Sequence, residues 1–335
     1  MERLEKVARR NRGYATRRQA KDLGYGSNDL ARQVADGGWV KLRRGVYAPA
    51  STQAAASPRE QQLVVIRSVL AALGPEYAAS HDSALVVHGV MLDDLDTDVV
   101  HVARVGGTTS RRRNGIHRHR DALGAADVVV VDEIRVVRAP RATAQVMCTS
   151  SLDDAAIVAW AWLASRRSAA LLGGMPEEFS QEAAKAELRE VLVGFGKRPG
   201  TRDAKDAVEI TDARCDSPAE VRVLVLCWRF DIPRPEPQYV IALPGGRHAE
   251  ADFGWPSVRH VLEFDGAMKY EDDPAQGMTA RDKILAEKRR EREIRDLGYG
   301  VTRLTWADLT EANQARTAAR IKRDLARSAR TFGTR

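Results

Sequence analysis

The sequence predicts a multidomain α+β protein. Three observations carry that expectation. At 335 residues the chain exceeds the usual size of one domain. Helical periodicities alternate with short β-branched runs along its length. Two stretches read as junctions, the small-residue segment 51–56 and the Lys-Arg-Pro-Gly-Thr-Arg-Asp-Ala segment 197–204. Hydrophobic residues at 44% suffice for packed cores, and charged residues at 30% supply a solvated surface. The expected domains are 1–50, 57–196 and 205–335.

In the first domain Leu4, Val7 and Ala8 recur at helical spacing, and Gly13 ends that helix. Thr16 is placed to cap a second helix, with Gln19 at the reciprocal position of a capping box, and Gly24 stops it. Ser27 is read as the next N-cap, opening a helix that turns Leu30, Ala31 and Val34 inward and breaks at Gly37-Gly38. Two β segments follow, Trp39–Leu42 and Gly45–Tyr47, joined at Arg43-Arg44. Three helices with a tight glycine turn, then a basic hairpin, is the order of a winged helix-turn-helix.

Ser57-Pro58-Arg59-Glu60 combines an N-cap serine, a proline at the first helical position and a glutamate at the third, so a helix runs from there to about Gly74. Strands are expected at Val99–Ala103, Ile116–Arg120, Val128–Val131 and Ile134–Val137, and helices at Leu152–Ser165 and Ala183–Gly194. This middle region reads as α+β. Ser217-Pro218-Ala219-Glu220 repeats the same helix start. Strands are then expected at Tyr239–Leu243, Ala249–Trp255 and His260–Asp265, a charged helix at Thr279–Leu297, a strand at Gly300–Trp306 and a last helix from Ala307. The C-terminal order is α-β-β-β-α-β-α.

Composition removes several classes. Cys148, Cys215 and Cys227 form no CxxC pair and have no histidine pair at zinc-finger spacing, which argues against a disulfide framework or structural zinc. The start lacks an apolar core of signal-peptide type, and the longest apolar stretch, Ala155–Ala164, spans ten residues, half of a membrane crossing. A cytoplasmic protein without a membrane partner is expected.

Charge gives the first functional pointer. Residues 1–50 hold 12 Lys/Arg against 5 Asp/Glu, so the whole net charge of +7 sits there, and the rest is balanced. Such a segment is built to meet a polyanion. In a winged helix the third helix enters the major groove and the hairpin touches phosphate or minor groove. The candidates for DNA contact are Ser27, Asn28 and Arg32 on that helix, Lys41, Arg43 and Arg44 on the wing, and Arg17, Arg18 and Lys21 on the preceding helix. A basic surface that only solvates a small helical domain is the alternative reading.

The C-terminal pointer is acidic. Hydrolysis of a phosphodiester at neutral pH requires an activated water and neutralised phosphate charge, and a divalent cation held by carboxylates provides both. Asp252 and Glu263 lie inside strand-like apolar runs, Ala251-Asp252-Phe253 and Leu262-Glu263-Phe264-Asp265, where carboxylates are disfavoured. A hairpin closing at Pro256–Arg259 sets Asp252 opposite Glu263, and strand alternation puts Asp265 on the same face. Glu220 adds a fourth carboxylate near the start of the preceding helix. Structure alone also accounts for Glu220 as a helix cap and for Asp265 within an Asp-Gly turn. His117 and His119 share one face of a possible strand and form a pair that could bind metal, but with arginines around them a solvent-facing basic strand is the favoured reading. His81 and His88 read as packing residues.

Two resemblances follow from these motifs. Ser217–Trp306, through Ser-Pro-Ala-Glu220, Ala-Asp252-Phe, Leu-Glu263-Phe-Asp265-Gly266 and Asp296-Leu-Gly-Tyr-Gly-Val-Thr-Arg-Leu-Thr-Trp306, resembles the Vsr-like restriction-endonuclease-fold domains of the PD-(D/E)XK superfamily. The resemblance implies a magnesium ion, Mg²⁺ (or Mn²⁺), held by Asp252, Glu263 and the backbone carbonyl of Phe264. The superfamily lysine two residues after the glutamate is replaced by Asp265, and a histidine frequent in the related domains is replaced by Lys269; Lys269, or Lys288 from the following helix, is then expected to offset phosphate charge. Residues from about 4 to 50, through Gly13-Tyr14-Ala15-Thr16, Gln19-Ala20 and Leu42-Arg43-Arg44-Gly45-Val46-Tyr47, resemble the winged-helix domain of AbiEi-type antitoxins of type IV toxin–antitoxin systems. Ser80-His81-Asp82-Ser83-Ala84 and His88-Gly89 extend that resemblance weakly into the middle region. It implies DNA binding, autoregulation and a nucleotidyltransferase-type toxin as partner.

The leading expectation is therefore a DNA-binding protein whose C-terminal domain cleaves DNA phosphodiesters with magnesium. The alternative is an antitoxin and autorepressor whose nuclease-like domain is catalytically silent.

Overall fold

Helix starts follow the capping residues. Thr16 accepts a hydrogen bond from the Gln19 amide at 3.2 Å, and the Gln19 side chain accepts from the Thr16 amide at 2.9 Å. Ser57 and Glu60 form the same reciprocal pair ahead of Pro58, and Ser217 caps the helix opened by Pro218. The computed structural model describes residues 1–90, 92, 98–107, 109–265 and 289–332. They form two units, Met1–Val146 and Met147–Arg335, so the segment 57–196 is divided between them.

The first unit begins with α1 (Glu2–Arg10), β1 (Ala15–Thr16), α2 (Arg17–Asp22), α3 (Ser27–Ala35), β2 (Trp39–Arg43) and β3 (Val46–Pro49). β2 and β3 make the wing, and β1 pairs with β3 to complete an antiparallel sheet in the order β1-β3-β2. Leu4 and Ala8 of α1, Ala20 of α2, Leu30 of α3 and Trp39 of β2 are buried together. Burial of side chains the size of Leu4 or Leu30 contributes about 1.5–3 kcal/mol each. One expectation needs correction. Gly26, rather than Ser27, is the N-cap of α3, because the Asp29 carboxylate reaches back to the Gly26 amide at 2.8 Å. The stretch expected as a linker carries α4 (Ala50–Ala55), consistent with the high helix propensity of its alanines.

The rest of this unit comprises α5 (Pro58–Leu73), β4 (Tyr77–Ala79), α6 (His81–His88), β5 (Val100–Val105), β6 (Arg111–Arg113), β7 (Ile116–Leu123), β8 (Val128–Val131), β9 (Ile134–Val137) and α7 (Ala139–Met147), which ends at the boundary. The strands form a six-stranded sheet in the order β6-β7-β5-β4-β9-β8. β5 runs parallel to β7 and β4 parallel to β9. β6 and β7 are joined by Asn114 and Gly115, both at positive φ (+53° and +70°), the backbone demanded by a two-residue hairpin turn.

The second unit opens with the helices α8 (Leu152–Leu172), α9 (Gln181–Gly194), α10 (Thr201–Ile210) and α11 (Pro218–Arg229). α10 starts inside the stretch expected as a second junction. Its N-cap, Gly200, sits at φ +76° against the carbonyl of Cys148, where a Cβ would lie 2.0 Å from the oxygen. β10 (Glu236–Ala242), β11 (His248–Trp255), β12 (His260–Phe264) and β13 (Gly300–Leu304) then form a sheet in chain order, with β12 and β13 parallel. α12 (289–296) contributes Ile294 to a core with Ile241, Ala249, Ala251 and Val261. α13 (Trp306–Leu309) and α14 (Glu311–Phe332) close the chain. A Cβ on Gly254 would lie 2.3 Å from the Tyr239 ring, so this position admits the ring only because it has no side chain. His260 is buried between the Ser328 hydroxyl and the Thr302 hydroxyl, each 2.9 Å away, and burial pushes its pKa down to about 4. All three cysteines are free. Among the described residues, no helix is long and apolar enough to cross a membrane.

Candidate nucleic-acid interface and acidic cluster

The winged unit presents its cations outward. Arg17, Arg18, Asn28, Arg32, Lys41 and Arg44 are exposed, and Arg43 is half-buried. Arg17 donates to the hydroxyl of Ser27, which ties α2 to the start of α3, and Arg32 pairs with Asp29 at 3.0 Å, one turn away. No ion pair joins Arg18, Lys41 or Arg44 to an acid among the described residues. These side chains therefore keep their full charge available to phosphate, where a guanidinium can donate two parallel hydrogen bonds.

Further cations lie beside the wing that the sequence patterns did not reveal. Arg43 lines a groove of about 240 Å³ together with Arg111, Arg113, Asn114, Ile116 and Arg118 from the β6–β7 hairpin. Arg118 stacks over the Tyr77 ring, 5.5 Å from its centroid, which fixes its direction. The local signal was present in the Asn-Gly dipeptide flanked by strand residues. Three consecutive arginines hid β6, since they show no alternation.

In the second unit, β11 and β12 pair Phe253 with Leu262, Gly254 with Val261 and Trp255 with His260. Continued one residue beyond Phe253 and Leu262, this register sets Asp252 across from Glu263. Each carboxylate is engaged. Asp252 accepts from the amide of Phe264 at 2.6 Å. Glu263 is buried, and its two oxygens face Arg290 of α12 at 2.7 Å and Arg303 of β13 at 3.2 Å. Arg303 is the residue directly opposite Glu263 in the parallel pairing. Glu220, also buried, accepts from the Ser217 hydroxyl at 2.7 Å and from the Asp216 amide and the Gln238 side chain at 2.9 Å each. Burial raises the Glu220 pKa, and the negative charge of Asp252 adds to the effect. Asp265 is exposed beyond the end of β12, its amide donating to the Leu304 carbonyl at 2.7 Å. Lys269 and Lys288 lie outside the described residues.

The donor set has the hard oxygen chemistry that magnesium takes. Two guanidinium groups pair with Glu263, and the Phe264 amide donates to one oxygen of Asp252. Among the described residues, the side chains whose donor atoms gather in a group of three are histidines of the first unit: His101, His117 and His119. Burial and the neighbouring imidazoles hold His119 at about 2 and the adjacent His81 at about 3, so both rings are neutral at pH 7.

Residues 2–50 match the family described as transcriptional regulator, AbiEi antitoxin. The match covers α1 through β3 and the wing, and the chain is similar to that family over this segment. No curated protein matches the chain.

Proposed function

We propose that the chain is a DNA-binding transcriptional regulator of the antitoxin type, one that represses its own promoter and neutralises a nucleotidyltransferase-type toxin. The observation that carries this reading is the winged helix-turn-helix at residues 2–50, which combines the family match with the chain's entire excess of positive charge. Arg18, Lys41 and Arg44 bind phosphate, Asn28 and Arg32 face base edges, and the Arg43 groove extends the phosphate path onto the β6–β7 hairpin. Binding titrations on the promoter DNA of its own gene, measured across salt, test the reading. With about six phosphate contacts the affinity falls steeply as salt rises, and a flat salt response on that DNA removes the proposal. Co-expression with the product of a neighbouring nucleotidyltransferase gene tests the antitoxin part, since growth arrest that persists in its presence contradicts neutralisation.

A magnesium-dependent endonuclease is the second reading, favoured by the β11–β12 register, which sets Asp252 across from Glu263 when continued one residue past Phe253 and Leu262. Under this reading Asp252, Glu263 and the Phe264 carbonyl form the metal set, with Glu220, Asp265 and Lys269 assisting. An ion there would share the Glu263 oxygens with Arg290 and Arg303. Plasmid incubated with the protein and Mg²⁺ or Mn²⁺ stays intact under the first reading. Nicking abolished by Asp252→Ala and by Glu263→Ala establishes the second.

A further inference from the structure

Four histidines of the first unit meet at one place although the chain brings them from three elements. His101 lies on β5, His117 and His119 on β7, and His81 at the start of α6. The parallel pairing of β5 with β7 sets His101 level with His117 and Ala103 level with His119. Strand alternation then turns His117 and His119 to the same face as His101. The rings are in contact: His101 Nδ1 lies 2.8 Å from His119 Nε2, the His117 and His119 centroids are 3.8 Å apart, and His81 stacks on His119 at 3.6 Å. One donor nitrogen from each of His101, His117 and His119 lies within 4.8 Å of the others.

We propose that His101, His117 and His119 form a binding site for one divalent transition-metal ion of the zinc class. Rings this close cannot all carry a proton without strong repulsion, and a neutral imidazole offers one lone pair to an ion. Three such nitrogens suit zinc, cobalt, nickel or copper, and suit magnesium or calcium poorly because those ions demand oxygen. Around a tetrahedral ion with bonds of about 2.0–2.1 Å, neighbouring nitrogens sit about 3.3 Å apart. The His101–His119 contact therefore opens by about half an ångström to admit the ion, a shift within reach of side-chain rotation. Three protein nitrogens leave a fourth position for water.

The surroundings fit a ligand set held by outer partners. The Asp82 carboxylate lies 3.6 Å from His101 Nδ1, the nitrogen that faces His119, and so places negative charge beside the cation. Asp121, two residues beyond His119, is buried and fixed by Arg141 at 3.0 Å and by the Gln145 side chain. Gln145 also accepts the His81 amide at 3.2 Å. The site needs neither the acids of the second unit nor the winged domain, so it stands apart from both readings of function.

The test uses the full chain after chelator treatment. Zinc titrated by calorimetry binds at one equivalent per chain, and cobalt(II) gives the intense visible absorption of a tetrahedral nitrogen-bound ion. His101→Ala and His119→Ala each weaken zinc by about 100-fold or more, whereas His88→Ala leaves it unchanged. Zinc raises the thermal midpoint of the unmodified protein and leaves that of His119→Asn unmoved. Because the cobalt spectrum is read on the unmodified chain, a variant that fails to fold does not decide the outcome. Failure of the unmodified chain to bind stoichiometric zinc, or binding that survives His101→Ala/His117→Ala/His119→Ala, overturns the proposal.

Discussion

The winged surface and the acidic cluster hold charge in opposite ways. Arg18, Lys41 and Arg44 stand in solvent without an ion pair among the described residues, so their charge costs the fold little and remains available to a ligand. Glu263 and Glu220 are buried, and the fold satisfies them internally with Arg290, Arg303, Ser217 and Gln238. Charges kept outside the fold's own pairing are available for recognition. Charges inside it first serve stability.

The largest effect that separates the two regions is expected on DNA. Arg18→Ala/Lys41→Ala/Arg44→Ala should weaken promoter binding by about 10²-fold or more and flatten the log–log salt slope by about 3. The thermal midpoint should stay in place, and anisotropy titrations with parallel melts check both halves. The converse is expected from Arg290→Met/Arg303→Met, which strands a buried carboxylate. Stability should drop by about 3 kcal/mol in denaturant titrations, with DNA affinity unaltered. If the melts of these two variants respond alike, the contrast fails.

Acid sharpens the comparison at a smaller scale. The His260 pKa is depressed from 6.5 to about 4, so the unfolded chain takes up a proton in that window before the folded one does. The stability this group contributes is complete above pH 6.5 and is lost as the pH falls towards 4. A denaturation midpoint tracked between pH 7 and pH 4 should decline over that interval, and His260→Gln should decline less. The smallest effect is expected from Gly115→Ala, which forces a side chain onto a φ of +70° in the β6–β7 turn. About 1 kcal/mol of stability should be lost, with a few-fold loss of promoter affinity through the Arg43 groove.

Much of the fold was legible because the deciding signals are local. Thr16/Gln19, Ser57/Glu60 and Ser217 are capping chemistry read within four residues, and the Pro256–Arg259 closure fixed the β11–β12 register without any long-range information. β4 was missed because Tyr-Ala-Ala is too short to show a period, and β6 because Arg-Arg-Arg has none. Site geometry was harder. The face shared by His117 and His119 was readable, but His101 joins them only through a parallel pairing that no turn announces. The pairing of Glu263 with Arg290 and Arg303 likewise depends on α12 and β13, which return to the site from later in the chain. Glu220 accepts from the Ser217 hydroxyl and the Asp216 amide at the start of α11, contacts its place in Ser-Pro-Ala-Glu already allowed.

The Tyr239 ring resting on Gly254 carries a consequence for sequence change over evolutionary time. Neither position is free to drift alone, since any side chain at 254 collides with the aromatic ring 2.3 Å away. Relatives that keep this sheet should therefore substitute the two sites together, a small residue replacing the tyrosine wherever the glycine is lost. That paired pattern gives a means of recognising the same architecture in chains whose overall likeness has faded.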